Sequence, residues 1–361
     1  MHGSSPDKPL SSMADHPADM SIRLLTKQDA EVYAEFRRSL WPVHIGAGSW
    51  DVVLVKYFDN PHVAACPGSG LYGNFSGNTM TGCMGAYPMP ITLNGSLYPG
   101  HMLVDWAVLP RLQLTPAAGK LFAHLLALPG RKFGSIGTTH SQTPISRRAT
   151  KIESVNAICV VSPAAALAAL GGLMSSSLPA PLHLQSLPLV PGTEVCPPDA
   201  IVPQMPLDTA NHAFVQRAGD FWQVYCAARN SNGSVPLRLK TPHGEATLVV
   251  SITQAGRYRF ASMLTLSLQP QTAESARACG KLFRKLLLAL NVSVLADTVV
   301  DDLRAEFLKA ASLKVRTTPS HWWAIRKPDD TFAAADVRWW LTNAERDSHW
   351  NLREQMSPYV K

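Results

Sequence analysis

The sequence predicts an α/β (α+β) protein made of two similar halves, each a mixed, largely antiparallel central sheet flanked by helices. Three observations predict it. Strand-like and helix-like runs follow one another with antiparallel meanders between short turns. The tetrapeptide Gly119-Lys120-Leu121-Phe122 returns as Gly280-Lys281-Leu282-Phe283. The elements around the two copies come in the same order, which marks a duplication.

Residues 1–20 hold Pro, Ser, Asp and His without an apolar core. They read as a flexible tail and not as a signal peptide. Ser21 to Leu25 reads as a strand. Thr26 caps a helix from about Gln28 to Leu40, with Ala30, Tyr33, Ala34 and Phe36 at helical spacing, and Pro42 ends it. Gly, Pro and Asn dominate up to about Thr79, which predicts loops that shape a pocket. Strands follow at Thr81 to Tyr87, Ile91 to Leu93 and His101 to Val108, with Asn94-Gly95 as a hairpin-type turn between the last two. Thr115 is an N-cap with Pro116 at the first helical position. Leu121, Phe122, Leu125 and Leu126 form that helix's buried face, and Pro129-Gly130 stop it. A strand from Phe133 to Thr138, a short helix near Ile145 to Ile152 and a strand near Ala157 to Val161 complete the unit. The apolar stretch from Ala157 to Met174 is broken by Ser162 and Pro163, so it reads as strand and short helix rather than as a membrane span.

Between Pro179 and Pro206 lie eight prolines, and no Lys or Arg stands between Lys151 and Arg217. This composition break is the connection between the halves, extended over the surface. The expected organisation is a tail (1–20), a first domain (21–175), a Pro-rich link (176–210), a second domain (211–330) and a Trp-rich C-terminal segment (331–361). In the second half, strands at Ala246 to Ile252 and Tyr258 to Leu266 precede the repeated helix. A strand at Val292 to Leu295 and a helix at Asp301 to Ala311 follow it. Trp322, Trp323, Trp339, Trp340 and Trp350 crowd the C-terminal region. They either seal the second domain by aromatic packing or form a stacking surface for a sugar or base.

Composition bounds the function. Hydrophobic residues make up 46% of the 361 residues and charged residues 16%, against about 25% charged in an average soluble domain, so global disorder is excluded. The net charge of +7 fits small anionic ligands as well as nucleic acid, and no run of five like charges forms a polybasic arm. The six cysteines show neither CxxC pairs nor zinc spacing with histidine, so neither a disulfide framework nor a metal site is expected. Reduced thiols in a cytoplasmic protein are the plain reading.

The segments Ile22-Arg23-Leu24-Leu25-Thr26-Lys27-Gln28-Asp29-Ala30 and Leu103-Val104-Asp105-Trp106-Ala107-Val108-Leu109-Pro110 resemble the first strand and helix and the fourth strand of the GNAT superfamily of acyl-CoA-dependent N-acetyltransferases. The resemblance covers about residues 21–161, with a fainter second copy at about 212–326. It implies two tandem GNAT-like domains and acetyl-CoA or another acyl-CoA as cosubstrate, with no metal. The acyl group would pass to an amine or hydroxyl of a small-molecule acceptor by direct attack in a ternary complex. Ala107 and Val108 match the positions that hydrogen-bond the acyl carbonyl and pantetheine. The family's phosphate turn, Arg/Gln-x-x-Gly-x-Gly/Ala, falls on Gln113, Pro116 and Ala118, with Thr115, Ala117 and Lys120 beside them. A helix N-terminus offers unpartnered N–H groups and a positive dipole end to a diphosphate. Pro116 departs from the pattern because it has no N–H. Asp105 and His140 are the candidates for general base, the first needing desolvation and the second titrating near neutrality. Ser146 stands where the family often has a tyrosine acid.

In the second half the phosphate turn is absent, and that half is expected to have lost cofactor binding. Its helix carries Arg277, Lys281, Arg284 and Lys285 as one basic stripe. Two other readings remain open at this level. One is an aminoacyl-tRNA-dependent transferase on a duplicated GNAT-like fold, and the other is a catalytically silent binding protein. The oligomeric state is undetermined, and no membrane partner is expected.

Overall fold

Backbone pairing gathers thirteen strands into one sheet in the computed structural model, counted over the residues it describes. These are residues 20–40, 50–113, 115–135, 149–163, 180–181, 189–202, 205–206, 212–215, 217, 219–227, 233–255, 258–325 and 338–341. The first half comprises β1 (Met20–Leu24), α1 (Ala30–Leu40), α2 (Trp50–Val53, continued by a wide π turn at Leu54–Phe58), β2 (Gly70–Ser76) and β3 (Thr79–Pro88). It goes on through β4 (Ile91–Leu93), β5 (Ser96–Tyr98), β6 (Gly100–Val108), α3 (Pro116–Ala127), β7 (Arg131–Ser135) and β8 (Ala149–Val160). The second half begins with β9 (Ala180–Pro181), β10 (Thr193–Val195), β11 (His212–Phe214), α4 (Gly219–Ala227), β12 (Ser234–Thr241), β13 (Gly244–Ala255) and β14 (Tyr258–Gln269). It ends with α5 (Ala273–Ala289), β15 (Val292–Val299), α6 (Asp302–Ala311), β16 (Lys314–Ile325) and β17 (Arg338–Trp340).

The strand order, β1-β2-β3-β6-β7-β16-β8-β15-β14-β13-β12-β10, reads nearly the same from either end. Each half lays down an antiparallel meander, then a helix, then a strand parallel to the one before that helix. Its last strand then crosses over. β8 leaves the first half to pair with β15, and β16 leaves the second to pair with β7. The two exchanged strands pair with each other from Lys314↔Val160 to Ile325↔Ala149. Each half thus completes the other's sheet, and the duplication is visible as a pseudo-twofold exchange.

Alternation along the strands separates two faces. Leu71, Cys83, Met102 and Val104 pack with Tyr33, Phe36 and Tyr57 of α1 and the π turn. Tyr72, Met84 and Leu103 face Leu121 and Leu125 of α3. In the second half the β12–β14 strands pack under α5 and α6 through Phe283, Leu287 and Phe307. Val249 and Leu264 face the other way, toward Phe221, Trp222 and Tyr225 of α4.

Several expectations need correction. The stretch before Thr79 is not all loop, because α2, the π turn and β2 lie in it; Leu71 and Tyr72 bury on opposite faces there. Residues 149–152 belong to strand β8 and not to a helix, because the twelve-residue ladder with β16 claims their backbone. Asn94 and Gly95, both at positive φ, join β4 to β5 and not to β6; the small hairpin pairs with β11 in a separate sheet. Trp322 and Trp339 pack in the first half's core, where Trp339 meets Phe133 edge-on at 5.3 Å, and so do not seal the second half. Trp350 and the segment 342–361 lie outside the described residues. All six cysteines are free and buried. Among the described residues no helix is long and apolar enough to cross a membrane, and no cluster of metal-ligating side chains occurs.

Candidate active site

The site begins where two parallel strands part. β6 and β7 are paired at Gly100↔Arg131, His101↔Lys132 and Met102↔Phe133. Beyond that point β6 stays with β3 as far as Val108, while β7 turns to β16 through Ser135↔Trp322. A wedge opens between them. Buried Lys132 anchors its narrow end, donating from Nζ to the carbonyls of Leu128, Pro129 and Gly130 at 2.8–2.9 Å. That cation ties the C-terminus of α3 to β7, where carbonyls are left without helical partners.

A bulge sits on β6 just past the parting. Cys83 faces Ala107 and Gly85 faces Val104, so Asp105 and Trp106 stand opposite Met84 alone. Asp105 adopts φ +54, a left-handed conformation that costs a non-glycine residue about 1–3 kcal/mol. Two side chains hold it there. Lys56 Nζ donates to Asp105 Oδ2 at 2.7 Å and the Tyr57 hydroxyl donates to the same oxygen at 2.5 Å. Lys56 is only 1% exposed, so this is an ion pair taken almost wholly out of water. Oδ1 carries no hydrogen bond among the described residues. Tyr57 reaches the bulge because position 85 is glycine, where a Cβ would stand 1.8 Å from the phenol oxygen. The sequence-level expectation was a lone carboxylate on a strand. The structure instead shows a three-member cluster, and its partners Lys56 and Tyr57 lie in the stretch taken for loop.

Trp106 points to the opposite face. It is 42% exposed and stacks on Phe122 of α3, with ring centroids 5.7 Å apart and planes at 24°. The start of α3 lies beyond the wide end of the wedge. No side chain caps it: the Thr115 hydroxyl donates to the Leu112 carbonyl at 2.8 Å, and the Thr115 N–H donates to the same carbonyl at 3.1 Å. Thr115 therefore turns both groups inward. Pro116, Gly119 and Lys120 are exposed, Ala118 is buried, and the side chain of Ala117 is outside the described residues. Gln113 is exposed and reaches the Val108 carbonyl at 3.4 Å. Ala107 and Val108 are buried at the wide end of β6. A Cβ at Gly119, on the exposed side of α3, or at Gly134 of β7 would meet no atom of the described residues within 4 Å. His140 and Ser146 lie outside the described residues.

On the α2 face, Val55, Asn60, Tyr87, Phe221 and Tyr225 line a crevice too tight to hold a water molecule. His62 stacks on Phe221 at 5.2 Å, and its burial beside Arg217 pulls the imidazole down to about 3. On the basic stripe of α5, Arg277 is paired with Glu306 of α6 at 3.3 Å.

A parallel pair that parts beside a bulge, followed by a helix starting at the open end, can be compared with solved structures. A conserved protein from Enterococcus faecalis V583, a probable N-acyltransferase, superposes with a TM-score of 0.50 at 12% identity, over 84% of this chain and 71% of that one. The chain has the GNAT fold. Weaker likenesses in the same group include a GCN5-related N-acetyltransferase from Anabaena variabilis (TM-score 0.47, 10% identity, 84% and 72% of the two chains). They also include Saccharomyces cerevisiae N-myristoyltransferase with bound myristoyl-CoA (0.49, 10%, 90% and 88%). No family model and no curated protein matches the sequence. The match to the Enterococcus faecalis protein spans 84% of this chain, whose two halves are joined by exchanged strands.

Proposed function

We propose that the chain is an acyl-CoA-dependent acyltransferase whose first half binds the cosubstrate in the wedge between β6 and β7. The observation that carries this reading is the conjunction of that wedge with a following helix, α3, whose N-cap Thr115 makes no side-chain bond to the first-turn amides. The diphosphate of coenzyme A would rest on the first-turn amides of α3, contributed by Ala117 and Ala118 since Pro116 has none, with Gln113 and Lys120 beside it. The pantetheine arm would run along β6 past Val108 and Ala107. The thioester would then lie at the bulge, where backbone N–H groups stabilise the oxyanion as the acceptor attacks.

The acceptor is a small molecule with an amine or hydroxyl. Asp105 is the proton-accepting group we favour, because Lys56 and Tyr57 occupy one of its oxygens and leave the other free. His140 and Ser146 remain sequence-based candidates for base and acid. Residues 21–175 form the cosubstrate-binding domain in this reading, and residues 211–330 support it without binding coenzyme A. No observation favours transfer from aminoacyl-tRNA.

Isothermal titration with acetyl-CoA tests the assignment. One molecule per chain should bind, and unfolding should shift upward by about 2.7 kcal/mol of added stability at a hundredfold excess over Kd. No binding of acetyl-CoA or of coenzyme A would overturn the reading, and two equal sites would overturn the silent role of the second half.

A further inference from the structure

An acyl group lying at the bulge is confined on three sides, and the fourth is occupied by an exposed tryptophan. Toward the narrow end, Gly100–Met102 and Arg131–Phe133 are paired backbone to backbone. Toward β3, Ala107 and Val108 are paired with Cys83 and Gly82. On the α2 face stand the Lys56–Asp105 ion pair and the Tyr57 hydroxyl, and a hydrocarbon laid there would strip polar groups of their partners. Among the described residues only the α3 face is left for the chain to extend along. There Trp106 stands at the bulge itself with Phe122 behind it, while Gly134 across the wedge presents no side chain. Leu103, on the same face, is already packed into the apolar cluster beneath α3.

We propose that Trp106, braced by Phe122, sets the length of the acyl chain the wedge accepts, so that acetyl and comparably short groups fit and longer ones do not. This rests on the acyl-CoA reading above. An indole that is 42% exposed contributes little to the core, which fits a wall kept large for what it excludes.

The test is equilibrium binding of coenzyme A, acetyl-CoA and octanoyl-CoA to the full chain and to Trp106→Ala and Trp106→Leu. The native chain should bind octanoyl-CoA more weakly than acetyl-CoA. Trp106→Ala should tighten octanoyl-CoA by about tenfold or more, as expected when a pocket gains room for several methylenes, and leave coenzyme A unchanged. Trp106→Leu should fall between and guards against a folding defect in the smaller variant. If the native chain binds octanoyl-CoA as tightly as acetyl-CoA, or if the ratio is the same in both variants, Trp106 does not set chain length. If coenzyme A itself fails to bind, the cosubstrate reading falls first, and this proposal falls with it.

Discussion

The two halves share a plan and differ at the two places where a cosubstrate would touch. Both have a strand that parts from its parallel neighbour, at Met102 and Phe133 in one and at Ser262 and Ala296 in the other. Both carry a bulge just beyond, opposite Met84 in β3 and between Val249 and Val250 in β13. The first half puts Asp105 there, strained and held by Lys56 and Tyr57. The second puts Leu264 there, fully buried among Phe221, Trp222 and Tyr225 of α4. The helix starts differ in the same sense. Thr272 caps α5 by accepting the Ser275 N–H, and Ser275 is buried beneath the β12–β13 turn, where a Cβ on Gly244 would stand 2.6 Å from its hydroxyl. No side chain caps α3. A duplicated frame has thus been filled with apolar packing in one copy and left open with a buried ion pair in the other. Strain and buried charge destabilise, so their presence at the bulge of the first copy and not at the bulge of the second marks where chemistry constrains the sequence.

The harshest way to break this comparison is to separate the halves. Because β8 and β16 are exchanged, a chain cut after β8 leaves each fragment with its terminal strand unpaired and its partner's position empty. Neither fragment should fold alone, and mixing them should restore a cooperative unfolding transition. Circular dichroism and size-exclusion chromatography would read this. Independent folding of either fragment would show that the exchange is not structurally required.

Next in size is the ion pair that locks the second half. Arg304 of α6 and Asp297 of β15 are both wholly buried, joined at 2.6 and 2.7 Å. Arg304→Met leaves the buried Asp297 carboxylate without the Arg304 cation, though the Thr298 N–H still donates to it, and should cost about 3–5 kcal/mol in urea unfolding. Replacing both, with Asp297→Leu added, should recover much of that loss, because a buried pair is weak net stabilisation. A small effect of the single change would mean that water reaches this pair and that the second half is looser than its packing indicates.

Much of this was legible in the sequence, for identifiable reasons. Thr115-Pro116 and Pro129-Gly130 bracket α3 because proline's fixed φ and a glycine chain reversal are local chemistry, even though the Thr115 side chain makes no capping bond. The shared order of elements disclosed the duplication, although the repeated tetrapeptide is buried differently in the two helices, Leu121 in one and Gly280 and Phe283 in the other. The exchange of β8 and β16 was not legible, since pairing between distant strands leaves no local mark. Lys56 and Tyr57 were missed for a related reason. Their segment is rich in loop-forming residues and its π turn has no simple period, and only the fold brings it to Asp105, 48 residues away for Tyr57. A lysine and tyrosine flanked by Val52, Val53, Leu54 and Val55 were the one available signal, since a lysine in so apolar a run must find an acid. Asp105 itself stood out by position, but its strained backbone did not.

The repeated tetrapeptide offers a finer test, with opposite signs predicted for one substitution. A Cβ on Gly280 would stand 2.4 Å from the Phe307 carbonyl, because α6 crosses α5 there. Gly280→Ala should therefore destabilise by about 1–3 kcal/mol through overpacking. Gly119 meets nothing, so Gly119→Ala should stabilise by about 0.5–1 kcal/mol, the gain of alanine over glycine in an exposed helix. Urea midpoints of the two variants decide it. Equal signs would mean that α3 is covered at Gly119 as α5 is at Gly280.

A last test concerns acid and the joint between the halves. His62 of the first half stacks on Phe221 of α4, and burial beside Arg217 holds its imidazole at about 3, against an ordinary value near 6.5. Between those values the unfolded chain binds a proton that the folded chain refuses. Stability should fall as pH drops from about 6.5 toward 3, by at most about 1.4 kcal/mol for each unit crossed. Asp29 acts in a lower window. Its hydrogen bonds from Arg23 and Thr26 hold the carboxyl well below the usual range, so its contribution is present above about 4 and is lost only on further acidification. Urea unfolding at pH 7.5 and pH 5 separates the two, because Asp29 does not titrate between them. His62→Gln should flatten that interval while leaving the steeper loss below pH 4 in place. Persistence of the full pH 5 deficit in His62→Gln would show that the joint between the halves is not where the acid sensitivity arises.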